Sequence, residues 1–171
     1  MKYSVEINLK FKLNELLYDI RTIAKGIADS SDTLNENAKV ALKDIGEEDT
    51  FERVKRIIEN DLAFCREKIF SYTKQEAKQT TVFNNTKKNS IVYAIDMKVP
   101  EDFSETTVEV LRTALHEHIV YKVLYKCLSI YCPNETNLIR STDLNMDNSL
   151  TDIRNSLSSR IGKVHIKSGP F

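Results

Sequence analysis

The sequence predicts an α+β fold, mainly α: a bundle of about four to five helices with an N-terminal strand and a small β-hairpin, as one domain over residues 1–171. Three observations predict it. Apolar residues recur at three- and four-residue intervals over most of the chain. Period-two alternation is confined to two short segments. Glycine and proline are scarce, four and three in 171 residues, so tight turns give way to helix caps. The 41% hydrophobic and 29% charged content is that of a globular chain.

The first element is a strand over residues 2–11, where Tyr3, Val5, Ile7, Leu9 and Phe11 alternate with polar neighbours. A helix follows, with Asn14 as its cap and Leu13 and Tyr18 at staple spacing. Its stripe is Leu16, Leu17, Ile20, Ile23, Ala24 and Ile27. "DSSDT" breaks it, and Thr33 with Glu36 has capping-box spacing for a second helix, stopped by Gly46. Asp49 with Glu52 opens a third, whose apolar face runs from Phe51 through Val54, Ile58, Leu62 and Cys65 to Tyr72. Cys65 reads as a small buried hydrophobe on that stripe.

Residues 91–99 alternate towards Pro100, which ends the strand. Val82 and Phe83 are the expected partner, joined through "NNTKKN" in a hairpin over 81–99. Ser104 caps the long helix beyond, with Phe103 and Val108 as a staple. From 134 to 148 the composition turns to Asn, Asp, Ser and Thr. The segment holds either a short unplaced helix or a loop ordered by a partner. A last helix carries Leu150, Ile153, Leu157 and Ile161, and an extended tail occupies 163–171. No internal repeat or heptad run stands out.

Several functions are disfavoured by the totals. Lysine plus arginine equals aspartate plus glutamate at 25 each, so no basic excess points to a nucleic-acid backbone or to sequence-specific nucleic acid. No apolar run nears the ~20 residues that cross a bilayer, and the alternating N-terminus lacks a signal core, so neither a membrane nor export is expected. The three cysteines then read as reduced thiols in a cytosolic setting.

Chemistry-bearing residues concentrate in "ALHEHIVYKVLYKCLSIYC", residues 114–132. His116 and His118 point about 200° apart on a helix, and the place four after His116 is Val120, so no metalloprotease pair forms. His116 and Cys127 lie roughly 16 Å apart along the axis, beyond one ion's reach. Cys127 sits in apolar company, which makes a thiol inert. A partly exposed surface position is the expectation for His118. No catalytic residue, cofactor or metal ligand is assigned.

What this helix does show is surplus apolar surface. Val108, Leu111, Leu115 and Ile119 share one face, which continues as Lys122, Lys126 and Ser129. Beyond Val120 nearly every other position is apolar or aromatic, so the second half must be covered on several sides. Either the helix is central to the bundle, covered by the helices at 15–28, 51–72 and 149–161, or part of it faces a second subunit. Tyr121, Tyr125, Leu128 and Tyr131, with Val164, Ile166 and Phe171 of the tail, are the candidate interface residues.

The element order is an alternating strand, "NELLYDIRTIAK", a long amphipathic helix, a strand ending in "VPEDFSETTVEVL", the apolar helix, and a closing "SLSSRIGKV" with a "PF" end. It resembles uncharacterised phage and prophage proteins of gut Bacteroidota, and is loosely similar to the helical adaptors that join a phage capsid portal to its tail. The resemblance implies a non-enzymatic virion structural protein, a head–tail connector or neck-ring subunit. Its implied partners are further copies in a ring and other virion proteins such as portal or tail components. Its implied place is the virion, assembled in the host bacterial cytoplasm. No functional residue transfers with the resemblance. The alternatives are a soluble regulatory module that captures a partner through the hairpin loop, or a small enzyme using His116, His118 or Cys127.

Overall fold

A computed structural model of the chain describes residues 4–69, 86–88, 91–100 and 103–158. Its elements are β1 (Ser4–Lys12), α1 (Leu13–Ser30), α2 (Glu36–Lys43), α3 (Glu48–Lys68), β2 (Thr86–Lys88), β3 (Val92–Pro100), α4 (Glu105–Tyr131) and α5 (Thr136–Ser158). The expected fold class is the observed one: five helices, an N-terminal strand and a two-stranded antiparallel hairpin. No helix among the described residues is long and apolar enough to cross a membrane.

The strands form one antiparallel sheet in the order β1-β3-β2. β1 pairs with β3 along its whole length, from Ser4 opposite Pro100 to Lys12 opposite Val92. Alternation therefore puts Leu9, Phe11, Tyr93, Ile95, Met97 and Val99 inside. Val82 and Phe83, the expected hairpin partner, lie outside the described residues. The described hairpin strand is Thr86–Lys88, within the stretch expected as the loop, with Thr86 opposite Ile95 and Lys88 opposite Tyr93. Apolar alternation could not reveal a three-residue strand made of Thr and Lys.

Three expected start signals are replaced. β1 passes directly into α1, and Leu13 N–H donates to the Ile91 carbonyl at 2.9 Å. That bond satisfies the first free donor, so Asn14 is not a cap, and Tyr18 is 69% exposed rather than stapled to Leu13. Asn35, not Thr33, caps α2 by accepting from Ala38 N–H at 2.8 Å. Glu47 precedes α3 without a side-chain cap bond, and the helix ends at Lys68. Ser104 caps α4 as expected, accepting from Thr107 N–H at 3.2 Å. Gly46, near the expected stop, adopts φ +81°, and a Cβ there would meet Leu17 Cδ2 at 3.2 Å.

The largest departure is α5. The polar stretch at 134–148 is neither loop nor short helix but the first half of one 23-residue helix. Its buried positions are Thr142, Met146, Ser149, Ile153 and Ser156, a four-three alternation that repeats every seven residues. The repeat escapes a hydrophobicity reading because every other member is a hydroxyl residue. Those hydroxyls bond their own helix: Thr142 to the Leu138 carbonyl, Ser149 to Met146 and Ser156 to Asp152, at 2.9, 2.7 and 2.8 Å. Self-satisfied and small, they let α5 lie close against α4 without a burial penalty.

α4 is the central helix. It packs against α1, α2, α3, α5 and β1, and its buried residues run from Leu111 to Leu128 around the axis. Burial on the α5 stripe, not residue type, sets mutational cost. Ile153→Ala should lower stability by about 3 kcal/mol, while Leu144→Ala, at a 60% exposed position, should stay within about 0.5 kcal/mol. Urea midpoints of the two variants check this.

Candidate functional site

The two histidines of α4 diverge as their spacing requires and enter different surroundings. His116 faces α1, where its Nε2 lies 2.8 Å from Asp19 Oδ2. The pair sits in an open groove of about 720 Å³ whose lining includes Tyr18, Asp19, Arg112, Thr113 and His116. Arg112 is held by Glu109 through two contacts, of 3.2 and 2.9 Å, which offsets its charge. A His–Asp pair can orient a base, but a nucleophile must stand at the other ring nitrogen. Among the described residues no hydroxyl or thiol is hydrogen-bonded to His116.

His118 is not the partly exposed residue expected. It is 1% exposed, because its arc of α4 faces α3 and α5. From α5, the Met146 carbonyl lies 3.4 Å and Ser149 Oγ 3.3 Å from Nδ1. A carbonyl can only accept, and the Ser149 hydrogen is already donated to that same carbonyl at 2.7 Å. Both neighbours are thus acceptors, so Nδ1 carries a hydrogen, and in the neutral ring Nε2 presents its lone pair.

Nε2 points at α3. Asp61 Oδ2 lies 3.6 Å from it, within ion-pair range but too far for a hydrogen bond. Cys65, one turn along α3, holds Sγ 3.9 Å from the same oxygen. Asp61, Cys65 and His118 are all buried, and one donor atom from each falls within 4.8 Å of the others. Asp61 Oδ1 and His118 Nε2 have no hydrogen-bond partner among the described residues. Phe64 stacks on the imidazole at 5.4 Å between centroids, and the Lys68 ammonium lies 4.6 Å over the Phe64 ring.

Sequence reasoning missed this cluster while placing Cys65 correctly in the core. Asp61 sits on the apolar stripe between Ile58 and Leu62, and a carboxylate in that position was the available signal. The pairings tested from sequence do not form: His116 and His118 face different helices, and Cys127 is buried apart from both.

All three thiols are pushed up from their usual range. For Cys65 the cause is burial, then the Asp61 charge and hydrogen bond. For Cys127 burial raises the value to about 11, and for Cys132 burial acts first with Glu135 adding to it.

Of the candidate interface residues, Leu128 is wholly inside the chain's own core and offers no surface. Tyr121, Tyr125 and Tyr131 are half-buried. Tyr121 and Tyr131 pack on the core, and the Arg53 guanidinium lies 5.9 Å over the Tyr131 ring. Val164, Ile166, Phe171 and the tail lie outside the described residues.

No protein-family model matches the chain, and neither does any curated protein or solved structure.

Two outcomes follow from the thiols. With Cys127 near 11, about one molecule in a thousand carries its thiolate at pH 8. Intact-mass measurement after iodoacetamide at that pH should find native chain modified far more slowly than urea-unfolded chain, which takes three adducts. Stability should also respond to alkali. The folded thiol keeps its proton up to about pH 11, whereas the unfolded one releases it near the ordinary value of 9.0. The Cys127 contribution is therefore complete below pH 9 and is lost as pH rises towards 11, by at most about 2–3 kcal/mol. Urea midpoints at pH 8 and 10.5 should differ less in Cys127→Val than in the parent.

Proposed function

We propose that the chain is a non-enzymatic structural subunit that works by assembling with further copies of itself. The specific form proposed is a head–tail connector or neck ring of a phage particle, in contact with portal or tail proteins. One observation carries the assembly reading: the outer edge of β1.

β1 ends the sheet order, so alternate residues along this nine-residue strand present backbone groups on the side away from β3 with no strand partner among the described residues. Its inward face is complete at Leu9 and Phe11, each 1% exposed, but fails towards the N-terminus. Ile7 is half-buried and Val5 is 46% exposed. Lys10 and Lys12 protect the other half with charge, which leaves residues 4–8 as the favoured place for an added strand. The half-buried tyrosines of α4 are of a type enriched at interfaces. Against an enzyme stand the buried thiols, each pushed up from its usual range, and a His116–Asp19 pair with no hydroxyl or thiol hydrogen-bonded to it among the described residues.

A soluble partner-binding module is the second reading, favoured by the groove between α1 and α4. The two differ in the state of the isolated chain. Mass photometry should show multi-copy species for the parent, and Val5→Lys should reduce them to monomer without moving the thermal midpoint, since the position is exposed. A parent that stays monomeric at micromolar concentration, or is absent from purified particles, overturns the virion reading.

A further inference from the structure

We infer that Asp61, Cys65 and His118 form a binding site for a thiophilic divalent transition-metal ion of the zinc class, clamping α3 to α4. Four independent features of the cluster support the assignment.

The first is geometry. Asp61 and Cys65 stand four residues apart on one face of α3, and His118 enters from the facing helix. A tetrahedral ion with bonds of about 2.1 Å to nitrogen and oxygen and about 2.3 Å to sulfur holds N and O about 3.4 Å apart, and S and O about 3.6 Å apart. The corresponding distances here are 3.6 and 3.9 Å, and the sulfur and nitrogen atoms fall within 4.8 Å of each other, so an ion needs a few tenths of an ångström of contraction at the carboxylate and up to about 1 Å between sulfur and nitrogen.

The second is the orientation of the histidine. The Met146 carbonyl and Ser149 Oγ, on the far side of the ring, fix the hydrogen on Nδ1. This is the outer-shell arrangement that aims a ligating imidazole. The third is the pair of orphaned atoms. Nε2 and Asp61 Oδ1 are buried without a hydrogen-bond partner among the described residues; the other carboxylate oxygen, Oδ2, takes only a long 3.9 Å contact from the Cys65 thiol and faces Nε2 at 3.6 Å, and a cation bound there would satisfy these acceptors.

The fourth is charge and donor type. Thiolate, carboxylate and neutral imidazole carry two negative charges, which a divalent ion cancels, leaving a buried site of zero net charge. Thiolate with imidazole selects zinc-like ions over magnesium and calcium, which take oxygen. Binding breaks the Cys65 S–H bond: sulfur keeps the electron pair as the metal ligand and the proton leaves to solvent. Phe64 is 38% exposed and lies flat on the imidazole, so on that side a single aromatic ring stands between His118 and water. These three protein ligands leave the fourth tetrahedral position to a water molecule, and because two ligands come from α3 and one from α4 the ion would tie the two helices together.

The test uses full-length chain stripped by a chelator and then titrated with Zn²⁺, or with Co²⁺ as a spectroscopic probe. One ion per chain is expected. Co²⁺ should give a thiolate-to-metal charge-transfer band and tetrahedral visible bands. Zn²⁺ at about a hundred times its dissociation constant should raise the thermal midpoint by about 5–10 °C. Cys65→Ala should abolish the charge-transfer band, and Asp61→Asn should weaken uptake at least tenfold, whereas Cys127→Ala should keep both. Far-UV circular dichroism of the stripped variants confirms that they fold. No uptake by the stripped parent would overturn the site and leave a shared proton as the cation. A cobalt band that survives Cys65→Ala in a folded variant would overturn it equally.

Discussion

A helix that is apolar on most of its circumference cannot sit at the surface, and the covering of α4 organises the rest of the molecule. Its buried residues, from Leu111 through Ile119 and Val123 to Leu128, occupy several arcs of the axis. One neighbouring layer can cover only one arc. α1, α2, α3 and α5 therefore surround it, and β1 of the sheet also touches it. Once the helix is enclosed, each polar side chain along it must find a partner or reach an edge. His116, about 200° round from His118, reaches the groove and pairs with Asp19. His118 has no such exit and must be satisfied inside.

The manner of that satisfaction depends on α5. A stripe of leucines would hold a helix further from α4 and would present no side-chain acceptor to the imidazole. Thr142, Ser149 and Ser156 instead bring the backbones near, and Ser149 has a second effect because its hydroxyl hydrogen is spent on the Met146 carbonyl. The packing of α5 thus decides which nitrogen of His118 carries hydrogen and which is aimed at Asp61 and Cys65. Close approach of two helices and the chemistry of a third meet in one residue.

Charge placement separates the interior from the groove. On the outside, Arg112 with Glu109 and Lys43 with Asp29 form exposed ion pairs of the kind that add little to stability. Inside, among the described residues, Asp61 has no basic partner nearer than the His118 nitrogen at 3.6 Å, and a buried carboxylate in that condition needs compensation. Such an arrangement is costly unless something binds there. The β1 edge is another place where polar groups stand open, there on the backbone, with no strand partner on that side among the described residues.

Local periodicity determined the helix and strand types. The stripes of α1 and α3, the Ser104 cap and the alternation of β1 and β3 each report a face that must be buried, whatever covers it. The same signal fixed that Cys65 lies inside and that His116 and His118 diverge. Partners and exposure were decided only in three dimensions. β1 found β3 eighty or more residues away, α5 was hidden because its stripe uses hydroxyls, and His118 went inside because neighbours covered its arc. The Asp61–Cys65–His118 cluster joins residues 53 positions apart in sequence (65 to 118). Periodicity describes one element at a time, whereas a site made by two helices exists only once the packing that unites them has been chosen.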